Sequence, residues 1–198
     1  MKKFLFLSVL CIVLIFGVCY AADFSDVQGH WGATYINTLA DKGIISGYTD
    51  GTFKPNGAIK KGEFLKLIMT AALPDQDWTY EPGEYSHWSG VYIEQALLKR
   101  VIDFGFVDES TANDEINRGE VAKILGKCDI IIADEPQDGA ELEFYDIDDV
   151  DDETYAMLSH CVAKGYITGY NDATFKPYKT LTRAEVATIL YRYLGLGE

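Results

Sequence analysis

Apolar residues are spaced in two distinct ways along the chain. From Phe4 to Val18 they form an almost unbroken run behind Met1-Lys2-Lys3. Beyond Ala21 they recur instead at helical intervals. Tyr35, Ile36, Leu39 and Ala40 share one face and stop at Gly43, which suits a left-handed helix end. Phe64, Leu67, Ile68 and Ala71 form a second stripe from about position 60. Between the stripes, Asp50-Gly51 predicts a tight turn flanked by Tyr48 and Phe53 and closed by Lys54-Pro55. The pattern predicts two helices joined by a long loop, with only short extended pieces.

This helix–loop–helix pattern repeats. Gly43 to Pro55 and Gly165 to Pro177 agree at nine of thirteen positions at a lag of 122. A lag of 57 carries His30-Trp31 onto His87-Trp88, Tyr35-Ile36 onto Tyr92-Ile93, and Ile59–Glu63 onto Ile116–Glu120. The sequence therefore divides into a signal segment at 1–21 and repeats at 22–77, 78–133 and 134–198, the middle one divergent. Each repeat is one supersecondary unit that needs its neighbours to bury its apolar face. Thr182-x-x-Glu185 and Asn117-x-x-Glu120 read as capping boxes opening the second helix of their units. Lys60 occupies that cap position in the first unit and predicts a weaker start by about 1 kcal/mol.

The cationic start, apolar run and small residues before position 22 read as a secretory signal cleaved after Ala21, since the run is short for a membrane span. Seventeen Lys and Arg against 31 Asp and Glu give −14, and loss of Lys2 and Lys3 makes this −16. That balance excludes a nucleic-acid binder. Cys128 and Cys161 remain after cleavage. Cys161 falls on the apolar face of a predicted helix, which favours buried thiols, with a single disulfide as the alternative. No histidine or cysteine spacing suggests a metal. The acidic run from Asp146 to Glu153 lacks the spacing of a calcium loop and reads as solvated charge at a helix start. No acid stands outside the repeat pattern, so neither a catalytic pair nor a cofactor is expected.

Phe-x-Asp-Val, His-Trp, the Tyr-Ile helix, Gly-(Ile/Tyr)-Ile-x-Gly-Tyr-x-Asp-x-Thr-Phe-Lys-Pro and Leu-Thr-Arg-Ala-Glu, recurring in this order, resemble a tandem S-layer homology (SLH) region. The resemblance runs from about Phe24 to Leu194. It implies a mainly α fold: a pseudo-threefold, three-pronged spindle with a central helical bundle and grooves between the prongs. It also implies a secreted, non-catalytic protein at the cell wall. The implied partner is an anionic secondary cell-wall polysaccharide, often capped by a pyruvylated amino sugar. No membrane partner is expected after signal cleavage. The alternative is a protein–protein module assembling with other surface-layer proteins.

The implied carbohydrate-binding residues are Arg118, Arg183 and their counterpart Lys61 for a carboxylate, Trp31 and Trp88 for stacking, and Asp26 and Asp146 for sugar hydroxyls. A cation in the first turn of a helix opposes the helix dipole unless an anion is near, which singles out the first three. The middle unit has Gly83 at the Asp26 position and lacks the Gly-Tyr-x-Asp loop, and the third has Asp151-Asp152 in place of His-Trp. One or two competent grooves are therefore expected. With no sequence beyond the third repeat, the expectation is a stand-alone wall protein without attached cargo.

Overall fold

The computed structural model describes residues 24–79 and 83–197; the predicted signal segment lies outside them. Six α-helices appear in three pairs: α1 (Ala33–Asp41) and α2 (Lys61–Ala72), α3 (Gly90–Leu98) and α4 (Arg118–Lys127), α5 (Asp152–Ala163) and α6 (Arg183–Tyr193). A π-helical turn, Cys128–Ile132, extends α4. Extended structure among the described residues is confined to isolated bridges, as the turn-rich linkers predict. The fold is mainly helical. No helix of the described residues is long and apolar enough to cross a membrane.

The helices start and stop where the side chains dictate. Glu63, Glu120 and Glu185 each accept the cap residue's backbone N–H through Oε2, at 3.0, 2.9 and 2.8 Å. Asn117 and Thr182 return the bond to the third helical amide. Lys60 has no acceptor to offer, so α2 forms only half of its box. Gly43 and Gly165 end α1 and α5 with φ of 71° and 73°, and the divergent middle unit places Arg100 there at φ 60°. A Cβ in that left-handed region costs roughly 1–2 kcal/mol.

The two helices of one unit are not the ones that pack on each other. α3 lies on α2, α5 on α4, and α1 returns to α6, so every unit lends its first helix to another unit's second. The closure is explicit in the backbone just before α2, α4 and α6. Ile59 N–H donates to Leu181, Leu181 to Ile116, and Ile116 back to Ile59, at 3.1, 3.3 and 3.3 Å. All three side chains are buried at this ring. Cys128 and Cys161 are free, buried thiols, and burial pushes both thiol pKa values up.

Candidate functional site

The ring presents the first residue of each second helix to a neighbouring unit. Arg183 and Ala184 donate their amides to Gly57 and Pro55, Arg118 and Gly119 to Lys179 and Pro177, and Lys61 and Gly62 to Asp114 and Ala112, all at 2.8–3.0 Å. The free N–H groups of each helix start are thus satisfied by another unit's loop. The same contacts aim the three side chains across the seams between units.

Arg183 enters the loop of the first unit. Its Nε donates to the Phe53 carbonyl at 2.8 Å and Nη2 to the Ser46 carbonyl at 3.2 Å, while Nη1 lies 3.5 Å from Glu63 Oε1. The guanidinium stacks against Tyr48 and Phe53, 4.9 and 4.5 Å from their ring centres. Beside it opens a cleft of about 650 Å³ whose lining includes Tyr48, Glu63, Lys66, Trp88 and Arg183. Lys66 Nζ lies 6.0 Å from the centre of the Trp88 ring, which is 42% exposed. An exposed indole, a tyrosine and two cations on one concave wall suit a sugar that carries acid groups, the rings for its apolar face and the cations for its charge.

Arg118 enters the loop of the third unit in the corresponding way, with its guanidinium 5.0 and 4.7 Å from the Tyr170 and Phe175 rings and Nη2 donating to the Thr168 carbonyl. Burial pushes its pKa down against the opposing pull of Tyr170 and Glu185, and the Arg192 charge adds a smaller push in the same direction as burial. Lys61 enters the middle unit, 3.1 Å from Glu120 Oε1 and over the Phe106 ring.

Two stretches of the chain are similar to a known family. Residues 23–65 and 143–187 match the S-layer homology domain. They fall in the first and third units, and the divergent middle unit lies between them. The chain is 28% identical to the amylopullulanase of Thermoanaerobacterium thermosulfurigenes over 88% of its own length and 10% of that protein. It is 26% identical to the surface-layer 125 kDa protein of Lysinibacillus sphaericus over 91% of its length and 15% of that protein. A 52-residue stretch, 26% of the chain and 12% of the relative, is 44% identical to the cellulosome-anchoring protein of Acetivibrio thermocellus. The chain spans only 10% to 16% of the length of the first curated relatives it matches.

Within these seams the sequence-predicted residues separate by position. Arg183 and Trp88 come together in the cleft. Trp31 is 60% exposed against His30, and neither it nor Asp26 lines the cleft. Asp26 accepts the Phe53 and Lys54 amides at 2.8 Å each, and Asp146 accepts those of Phe175 and Lys176 in the same way. Burial tends to raise the Asp26 pKa, but the Phe53 and Lys54 amides bring it below the ordinary carboxylate value. Both aspartates therefore clamp the loops that carry Phe53 and Phe175.

Five contributors escape sequence reasoning. The capping glutamates Glu63, Glu120 and Glu185 use Oε2 for the helix but turn Oε1 toward a lysine or arginine at the seam. Their second role leaves no signal beyond the capping box. Tyr48 belongs to the recurrent Gly-Tyr pair and Lys66 sits on the polar side of α2, so only the fold reveals that they share a wall.

Proposed function

We propose that the protein attaches to the cell wall by holding an anionic secondary cell-wall polysaccharide at the seams between its units, without catalysis. The reading takes the three units as SLH repeats at 22–77, 78–133 and 134–198 of a three-pronged spindle, exported by the segment 1–21. Attachment at the cell surface is supported by the SLH matches and by relatives named for surface layers and cellulosome anchoring. The observation that carries the glycan reading is the Arg183 cleft, where Trp88, Tyr48, Lys66 and Arg183 share one wall. Arg183 and Lys66 would meet the polymer's acid groups and Trp88 its ring. Asp26 and Asp146 would act indirectly by fixing the loops, and Trp31 would offer a further stacking surface.

The global charge of −16 opposes an acidic polymer at long range, but screening over about 8–10 Å in physiological salt leaves the local cations to decide at contact. Association is slowed, and binding survives. The test is a pull-down of the mature protein on purified wall sacculi, with and without the accessory polymer stripped off. Retention only on unstripped walls is expected; equal binding to both, or none to either, would sink the reading.

One observation favours the assembly alternative at the middle unit. Phe104 is 98% exposed, with Leu98 at 67% and Ile131 at 45%. Phe104 and Ile131 border a concavity shared with Leu97 and Ile102. If this face, rather than the cleft, holds the protein in place, Phe104→Asp will abolish retention while Arg183→Ala leaves it intact.

A further inference from the structure

We propose that copies of this chain join head to tail, with the Phe104 face of the middle unit seated in a tyrosine-lined concavity on the third unit of a second copy. The inference goes beyond wall attachment and gives the exposed face of the middle unit its occupant.

The three units share a backbone plan, so positions can be compared across them. Gly43, Arg100 and Gly165 hold the same left-handed helix end, and Asp26 and Asp146 bind the same loop amides. On that alignment the middle unit departs from its siblings at three exposed positions. Asp41, Gly43 and Gly47 of the first unit become Leu98, Arg100 and Phe104, and the third unit has Ala163, Gly165 and Gly169 there. Glycine is required at 47 and 169, because a Cβ would run into Phe24 or Phe144. The middle unit has Glu81 at the Phe24 place in the sequence, and at the glycine place a phenylalanine that is 98% exposed. The siblings end this helix without such side chains, so folding does not explain a leucine, an arginine and a phenylalanine in solvent.

The third unit departs elsewhere. Ser25, Gln28, Gly29 and Asn56 of the first unit become Tyr145, Asp148, Asp149 and Tyr178. These four line one concavity of about 450 Å³. Tyr145 and Tyr178 are 68% and 67% exposed, yet each donates its hydroxyl to a backbone carbonyl, that of Asp172 and Asp149 respectively. Both rings are thus fixed while open to solvent. Lys176 and Lys179, on the same wall, are committed to Asp172 and Glu185 at 3.1 and 2.5 Å. The carboxylates of Asp148 and Asp149 have no hydrogen-bond or ion-pair partner among the described residues. What the concavity leaves for a visitor is aromatic and negative.

The middle unit's face matches it in both respects. A protruding phenylalanine suits a hollow flanked by two fixed rings. Arg100 borders the same face, is exposed and has no ion pair among the described residues, so it brings a free cation to two free carboxylates. Aromatic residues and arginine are the side chains that anchor protein contacts. Two Phe104 faces docked on each other would leave those carboxylates without a cation. Because the two faces lie on different units, each copy spends one and keeps the other, and copies add in an open row unless the rotation closes a ring. The net charge of −16 slows the encounter but is screened beyond about 8–10 Å in physiological salt.

The test is sedimentation velocity on the mature protein, from micromolar concentration to about 1 mM, with no wall present. The sedimentation coefficient is expected to climb with concentration and to fall as salt rises. Phe104→Gly and the pair Tyr145→Ser/Tyr178→Asn install the first unit's own residues, which this backbone accommodates, and each should weaken association at least about tenfold. An equimolar mixture of these two variants retains one good face on each partner. It should form a one-to-one dimer and stop there. A parent protein that stays monomeric overturns the proposal, as does a mixture that stays monomeric. So does association that Phe104→Gly abolishes and the tyrosine variant leaves intact. Wall retention is read separately on sacculi: a monomer that unstripped walls retain would fell this inference alone, whereas a self-associating protein that no wall retains would fell the wall reading alone.

Discussion

Lys66 and Lys123 occupy equivalent positions on α2 and α4, and they face opposite kinds of neighbour. Lys66 looks across the seam at Trp88 and lines an open cleft. Lys123 meets Glu153 at 2.6 Å and Asp151 at 3.6 Å, residues of the stretch where the third unit has acids in place of His-Trp. One turn later Lys127 is gripped by Glu153 and Asp103 at 2.9 and 3.4 Å. One backbone plan therefore produces a seam whose lysine on the second helix faces an indole and another whose lysines are already spent on the chain's own carboxylates. The exchange of an indole for acids is enough to decide which.

The comparison can be broken most directly at the two first-turn cations. Arg183→Ala and Trp88→Ala should each reduce retention on unstripped walls about tenfold or more, whereas Lys61→Ala should change it less than about twofold. A quantitative sedimentation assay on sacculi separates these outcomes, and equal losses from Arg183→Ala and Lys61→Ala would erase the distinction. The middle seam is tested by Asp103→Asn combined with Glu153→Gln. Lys127 is only 7% exposed and would lose both partners. The expected loss is about 1–2 kcal/mol in denaturant unfolding, discounted from a fully buried pair because both carboxylates are partly in solvent.

Acid should act on the same pairs. Hydrogen bonds from Lys123 and Lys127 hold Glu153 below its ordinary pKa, and Thr154 does the same for Asp151. A carboxylate with a depressed folded-state value contributes stability above its unfolded value of about 4, and that contribution is lost as pH falls through the folded one. Melting temperature should therefore fall below about pH 4, with a shallower fall in the Asp103→Asn/Glu153→Gln variant. The smallest effects are local to helix ends. Lys60→Thr should complete the capping box of α2, and Arg100→Gly should relieve the left-handed end of α3, each raising stability by about 1 kcal/mol in thermal melts. No gain from Lys60→Thr would mean that the ring alone fixes the start of α2.

Much of this was legible in the sequence because it depends on residues a few positions apart. The stripes on α1 and α2, the caps at Asn117 and Thr182 and the helix end at Gly43 are all local. The half-formed box at Lys60 follows from the same rule, since an ammonium cannot accept a hydrogen bond. What stayed hidden depends on partners far along the chain. Trp31 and Trp88 occupy the same place in the repeat, yet the cleft contains only Trp88, because each first helix packs against another unit's second. Likewise, nothing local to Glu185 tells that Lys179 rather than Arg118 will hold its outer oxygen. The buried pair of His160 on α5 and Asp129 on the π-helical turn, 2.9 Å apart, is hidden for the same reason.

The ring of Ile59, Ile116 and Leu181 also sets the order of events in folding. Its bonds join residues separated by 57, 65 and 122 positions, and α1 completes its packing only on α6. Each local helix can flicker into existence early, but the long-range closures come at an entropic cost that only the assembled ring offsets. A chain emerging amino end first has no partner for α1 until the region around Arg183 follows. The seams that carry the proposed binding chemistry therefore cannot preform unit by unit, and they come into being together when the circle shuts.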